Sequence, residues 1–142
     1  MDLSTDESPR EFMDLAKQCR MEAESGYRSG RYNCAEAVLA VIRKHLRPDM
    51  SEEVVQAASG FGGGSGSGCI CGAVSGATIG LGLLLGPDRK RIARMTRELH
   101  SWFRERYGVT CCRTIRETQP KGICPTLTGE VAAKLVNMVQ GG

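Results

Sequence analysis

From residue 8 to residue 29, apolar positions recur at helical spacing. Phe12, Leu15, Ala16, Cys19 and Ala23 fall on one face, and acidic and basic residues fill the other. Gly26 and Gly30 mark the end of this predicted helix. A second begins at "NCAEAVLAVIRKHLR". Asn33 is a suitable N-cap, with Glu36 three residues later as its capping-box partner. Ala35, Val38, Leu39, Ile42 and Leu46 form its apolar stripe, and Pro48 breaks it. Ser51 then caps a short helix through Ser59, with Val54, Val55 and Ala58 inward. From Cys71 to Leu85 the chain is apolar and small. Such a run reads equally as strand, but Gly72, Gly76 and Gly80 lie four apart on one helical face, with Ala73 and Ala77 beside them. That spacing predicts a buried helix.

Pro87 opens a long amphipathic helix to about Tyr107. Its inward face is Ile92, Met95, Leu99, Trp102 and Phe103, and its outward face carries Arg89, Lys90, Arg94, Arg97, Arg104 and Arg106. Thr110 is placed to cap a short helix, "CCRTIRE". The loop "TQPKGICPT" leads to a last helix from about Thr128 to Gln140, with Val131, Leu135, Met138 and Val139 inward. No repeat and no linker divides the chain. The expectation is an all-α fold, one domain over residues 1–142, with about six helices.

Length and composition agree with this pattern. A chain of 142 residues suits one domain, and 41% hydrophobic residues can build a core. Only 5% are aromatic, so aliphatics, Ala and Gly must supply it. A net charge of +3 is too small to argue for nucleic acid. The weakly polar run Cys69–Gly86 is Gly- and Ser-rich, and reads as a loop and buried helix rather than a membrane span. Seven Cys are an odd number, and "MDLSTDESPREF" shows no secretory pattern. The expected location is a reducing cytoplasm, where clustered Cys are metal ligands or redox thiols.

Residues 60–76, "GFGGGSGSGCICGAVSG", contain eight Gly. Gly is costly to order, so such a stretch marks a sharp bend or a close approach. A phosphate cradle would need G-x-x-x-x-G-K-S/T, or G-x-G-x-x-G after a strand. Neither is present, and no Lys or Arg lies between Gly60 and Gly86. Gly76 and Gly80 suit close helix packing. The remaining reading is a sulfur-held centre. Cys71, Cys34 and Cys112 each stand at a predicted helix start, where the dipole and free N–H groups favour thiolate. Arg113 adds positive charge beside Cys112, and Cys124 sits in a Pro- and Gly-flanked loop. Backbone N–H groups of Gly68 and Gly72 are candidate donors to such a centre.

Taken in order, "NCAEAVL", "CGAVSGATIGLGLLLG", the "CR" that follows the Gly-Val-Thr turn, and one further Cys are a signature. It resembles the C-GCAxxG-C-C family of small bacterial and archaeal proteins, described as redox-active. The likeness runs from about Tyr27 to Cys124, and the element Cys71-Gly72-Ala73-Val74-Ser75-Gly76 is intact. The resemblance implies that the four motif Cys are Cys34, Cys71, Cys112 and Cys124. Cys111 competes for the third place, and Arg113 favours Cys112. Cys19, Cys69 and Cys111 are then extra. A redox role is implied, with a partner protein or oxidoreductase, but no substrate.

The chemistry divides into several readings. No C-x-x-C knuckle exists, which counts against a structural zinc site although four Cys could hold one. Four thiolates suit an iron–sulfur cluster, 4Fe–4S or 2Fe–2S, bound by one chain or shared in a homodimer. The rival is metal-free thiol–disulfide chemistry, with Cys69-Ile70-Cys71 as a C-x-C pair and Cys111-Cys112 as a vicinal pair. A non-enzymatic accessory partner of an oxidoreductase is a third. Cys19 reads as core, and His45 and His100 as lone His on amphipathic helices. The Arg-rich face of residues 89–106 reads as solvated, or as a dock for an acidic electron-transfer partner. No Ser–His–Asp or paired-carboxylate arrangement supports hydrolysis, and no residue is singled out as catalytic. An electron-transfer or accessory protein is expected, rather than a stand-alone enzyme.

Overall fold

The computed structural model describes residues 14–141, which form an all-α domain of seven helices. The expected helix start at residue 8, with Phe12, lies outside the described residues. Helix α1 is Leu15–Arg28, capped by the Asp14 carboxylate, which accepts from Ala16 N at 3.0 Å. Helix α2 is Cys34–Leu46 and carries the expected capping box. Asn33 Oδ1 accepts from Glu36 N, and Glu36 Oε1 accepts from Asn33 N, both at 2.9 Å. The short helix expected after Ser51 divides into α3, Glu53–Gln56, and a tight turn over Ser59–Phe61. Val55 and Ala58 are buried on it.

Helices α4 (Gly72–Leu85) and α5 (Arg89–Tyr107) lie where the spacing placed them. On α5, Met95, Leu99, Phe103 and Tyr107 are buried, and Ile92 and Trp102 pack at the core's edge. Arg89, Lys90, Arg94, Arg97 and Arg104 are exposed. Helix α6 is Cys112–Thr118, and its N-cap is Cys111 rather than Thr110. Helix α7 is Ile123–Gly141, five residues longer at its start than the pattern suggested. Pro125 had argued for a loop. It sits in the first helical turn, where a missing N–H breaks no bond and the fixed φ suits the helix. Cys124 is therefore held on a helix.

The core joins Val38 and Ile42 of α2, Val74, Ala77 and Leu81 of α4, and Leu99, Phe103, Val131 and Leu135 of α5 and α7. Small residues set the spacing. A Cβ on Gly76 would stand 2.5 Å from Ala35 O, and one on Gly80 would stand 2.8 Å from Ile42 Cδ1. The Gly stripe thus seats α4 directly on α2. Cys19 is fully buried, and burial pushes its thiol up to about 11. His45 pairs with Glu22 at 2.9 Å, and His100 Nδ1 meets Thr96 O at 2.9 Å. No helix of the described residues is long and apolar enough to cross a membrane.

Candidate metal centre

The N-terminal ends of four helices surround one cavity of about 530 Å³. Cys34 is the first residue of α2, Cys71 caps α4, Cys112 is the first residue of α6, and Cys124 lies in the first turn of α7. All four line the cavity. Cys111 and Cys69 do not. Two backbone bonds align the segments that carry Cys71 and Cys112. Cys71 N donates to Thr110 O at 2.8 Å, and Cys112 N donates to Cys69 O at 2.5 Å. They frame a single antiparallel bridge between Ile70 and Cys111.

The Gly-rich segment folds over the cavity. Asn33 Nδ2 donates to Ser59 O at 2.9 Å, which ties the loop to the cap of α2. Gly64 has φ +69°, and a Cβ there would stand 2.5 Å from Cys69 N and 2.8 Å from Cys112 Cβ. Gly72 has a different reason. A Cβ there would strike the Cys34 sulfur and stand 2.6 Å from Phe61 O. The Gly after Cys71 is the gap into which Cys34 fits. Gly72 lines the cavity, as does Gly63. Gly68 lies off it, packed under Arg113, and its carbonyl accepts from Cys111 Sγ at 3.3 Å.

The sulfurs are poorly solvated. Burial pushes Cys71 up to about 12, and neighbouring Cys34 adds to the shift, against the N–H groups of Ala73 and Val74. Burial also raises Cys34, opposed by the N–H groups of Gly63 and Ala35. It raises Cys112, opposed by Arg116. Without a cation between them, these three thiols are neutral at pH 7. Tyr27 is raised by burial and by the sulfurs of Cys124 and Cys34 beside it. Outside the cavity the balance reverses for Cys111. The Thr114 hydroxyl and backbone N–H, with Arg113, hold its thiol below the ordinary range. Cys69 is exposed.

The rest of the wall is one-sided in charge. Arg116 and Lys121 line the cavity, and no Asp, Glu or His does. Thr128 also lines it. Among the described residues, no three His, Cys, Asp or Glu side chains converge closely enough to hold one metal ion. A larger groove of about 1010 Å³ runs along α1 and α2, with charges of both signs and no cysteine. Tyr27, Gly63, Arg116, Lys121 and Thr128 were not singled out from the sequence. Two carried a signal: Arg116 and Thr128 stand four residues after Cys112 and Cys124, on the same helical faces.

A protein-family model described as "Putative redox-active protein (C_GCAxxG_C_C)" matches residues 32–138. No curated protein and no solved structure was found to match. The matched span contains all four cavity cysteines and most of the domain. The chain belongs to the C_GCAxxG_C_C family of redox-active cysteine-motif proteins.

Proposed function

We propose that this protein is an electron-transfer protein that holds an iron–sulfur cluster through Cys34, Cys71, Cys112 and Cys124. One observation carries the reading: four cysteines, far apart in sequence and on four different helices, line a single cavity. Buried structural cysteines have no reason to gather in this way. The donor set is soft sulfur throughout, which suits iron–sulfur or zinc chemistry. The sulfurs stand around a cavity without three of them meeting at a point.

Electrostatics supports the same reading. Burial raises three of these thiols, and a bound metal centre would draw them into thiolate form. A cluster ligated by four thiolates carries net negative charge. Arg116 and Lys121 are placed to offset it, and N–H groups of Ala35, Gly63, Ala73 and Val74 face the sulfurs. The bound cluster would supply reversible one-electron transfer. The protein's part is to fix four ligands, close the loop over them and present the centre to a redox partner protein, alone or as a homodimer.

A second reading has its own observation. The Cys111 thiol is held below its ordinary range, Cys69 is exposed, and both lie outside the cavity beside the single bridge between Ile70 and Cys111. This favours metal-free thiol–disulfide chemistry at the surface. One experiment separates the two. The protein is purified without oxygen, and iron, acid-labile sulfide and zinc are measured per chain with the visible spectrum. Iron with matching sulfide, lost in Cys71→Ser and Cys124→Ser, is expected. A colourless protein that stays metal-free after reconstitution with iron and sulfide sinks the cluster. Cys69→Ser and Cys111→Ser would then alter disulfide content, with metal content at zero throughout.

A further inference from the structure

Neighbours in sequence are not partners in space at the C-x-C and vicinal cysteine pairs. Cys71 and Cys112 line the cavity, while their companions Cys69 and Cys111 do not. Each pair is split, with one sulfur inside and one outside. The two outer sulfurs come together instead. Cys111 Sγ lies 3.3 Å from Gly68 O, and Cys69 Sγ lies 4.0 Å from Ser67 O. These carbonyls belong to adjacent residues, so both sulfurs gather at one turn of the chain. Arg113 Nη2 donates to Ser67 O at 3.4 Å and holds that turn against α6. Both thiols are free, Cys69 exposed and Cys111 half-buried.

Backbone pairing sets their separation. The bonds from Cys71 N to Thr110 O and from Cys112 N to Cys69 O flank Ile70 and Cys111, which makes that bridge a non-hydrogen-bonded antiparallel pair. Opposed Cα atoms in such a pair stand about 4.5 Å apart, and one residue along a strand adds about 3.4 Å, which puts the Cα atoms of Cys69 and Cys111 about 5.6 Å apart. Disulfides span about 4.4–6.8 Å between Cα atoms. In a regular ladder, adjacent side chains alternate in face. The ladder ends here: Cys69 has φ −84° and ψ −131°, outside the extended region, and its exposed sulfur can turn toward Cys111.

We propose that Cys69 and Cys111 are a second sulfur site, a reversible dithiol–disulfide pair that exchanges with small external disulfides. It builds on the second reading above, yet uses no cavity cysteine and so does not require a metal-free cavity. One thiolate attacks the external disulfide, whose bond breaks and releases one thiol. The other attacks the mixed disulfide, closes the Cys69–Cys111 bond and releases the second thiol. Two electrons and two protons pass from the chain to the external disulfide.

The test uses the full chain, purified without oxygen, with dithiodipyridine as the external disulfide. Iron content and the position of every disulfide, found by peptide fragmentation, are measured on wild type, Cys69→Ser and Cys111→Ser. Wild type is expected to link Cys69 to Cys111, to retain no probe on either, and to recover both thiols with glutathione. Each variant should instead keep the probe as a mixed disulfide on its remaining outer sulfur. Probe retained on both outer sulfurs of wild type overturns the proposal. So does a linkage of either one to a cavity cysteine. Iron content decides the cluster separately. A linked pair in an iron-free chain keeps this site and removes the cluster, and iron without the linked pair does the reverse.

Discussion

At the scale of single residues, Gly72 shows what a pattern conveys and what it conceals. Its spacing from Gly76 and Gly80 marked a face of small residues, and that face does seat α4 on α2. The spacing could not say that Gly72 alone among the three abuts a candidate ligand. The conflict with the Cys34 sulfur arises between residues far apart in sequence, and no local rule contains it. Gly72→Ala should therefore act on the centre as well as on stability. Overpacking of this kind costs about 1–3 kcal/mol. Gly82→Ala is the control, since a Cβ there meets nothing within 4 Å. It should be neutral, or stabilising by up to about 1 kcal/mol, because Ala is the better helix former. Urea unfolding with iron content measured on both variants checks this. Equal behaviour of the two would remove the special role of Gly72.

At the scale of elements, legibility followed the locality of the signal. The capping box at Asn33 and the stripes of α2, α4 and α5 depend on neighbours within a few residues, and they stand as read. The start of α7 does not, because Pro125 carries opposite meanings inside a helix and in its first turn. The four-helix convergence on the cavity was visible only as four Cys near helix starts. That those starts meet is tertiary information. Asn33 links the two levels, since one side chain caps α2 and pins the Gly-rich loop through Ser59 O. Asn33→Ala should cost about 1–2 kcal/mol, at the upper end for a lost cap. Asn33→Asp should keep the cap and lose only the loop contact. Its global stability should stay close to wild type while cleavage in residues 59–68 by a dilute protease speeds up. Cleavage no faster than wild type would show that the loop is held by other means.

At the scale of the whole molecule, the last helix closes the domain and completes the cavity. Helix α7 packs along α1, supplies Cys124, and is clasped to α5 by an ion pair. Glu130 accepts from Arg106 Nε at 2.7 Å and from a terminal guanidinium nitrogen at 2.8 Å, and the Tyr107 hydroxyl donates to the same carboxylate. The Arg106 guanidinium holds the Glu130 carboxyl below its ordinary value, with burial opposing and Tyr107 assisting. A carboxylate depressed in the folded state adds stability above its unfolded pKa, about 4.3. That contribution disappears as pH falls through the lower, folded value. The side chain of Glu130 is 21% exposed, so solvent screens the pair and its worth is roughly 1 kcal/mol. Glu130→Gln should therefore be less stable than wild type at pH 7 and converge with it as pH falls below about 4.3 and through the lower folded value. Denaturation midpoints at pH 7, 5, 4 and 3 test this. Parallel profiles would place the clasp's worth in packing rather than charge. Because the clasp holds the helix that carries Cys124, Glu130→Gln at pH 7 should also release iron to a chelator faster than wild type. Glu130 itself lies outside the cavity lining.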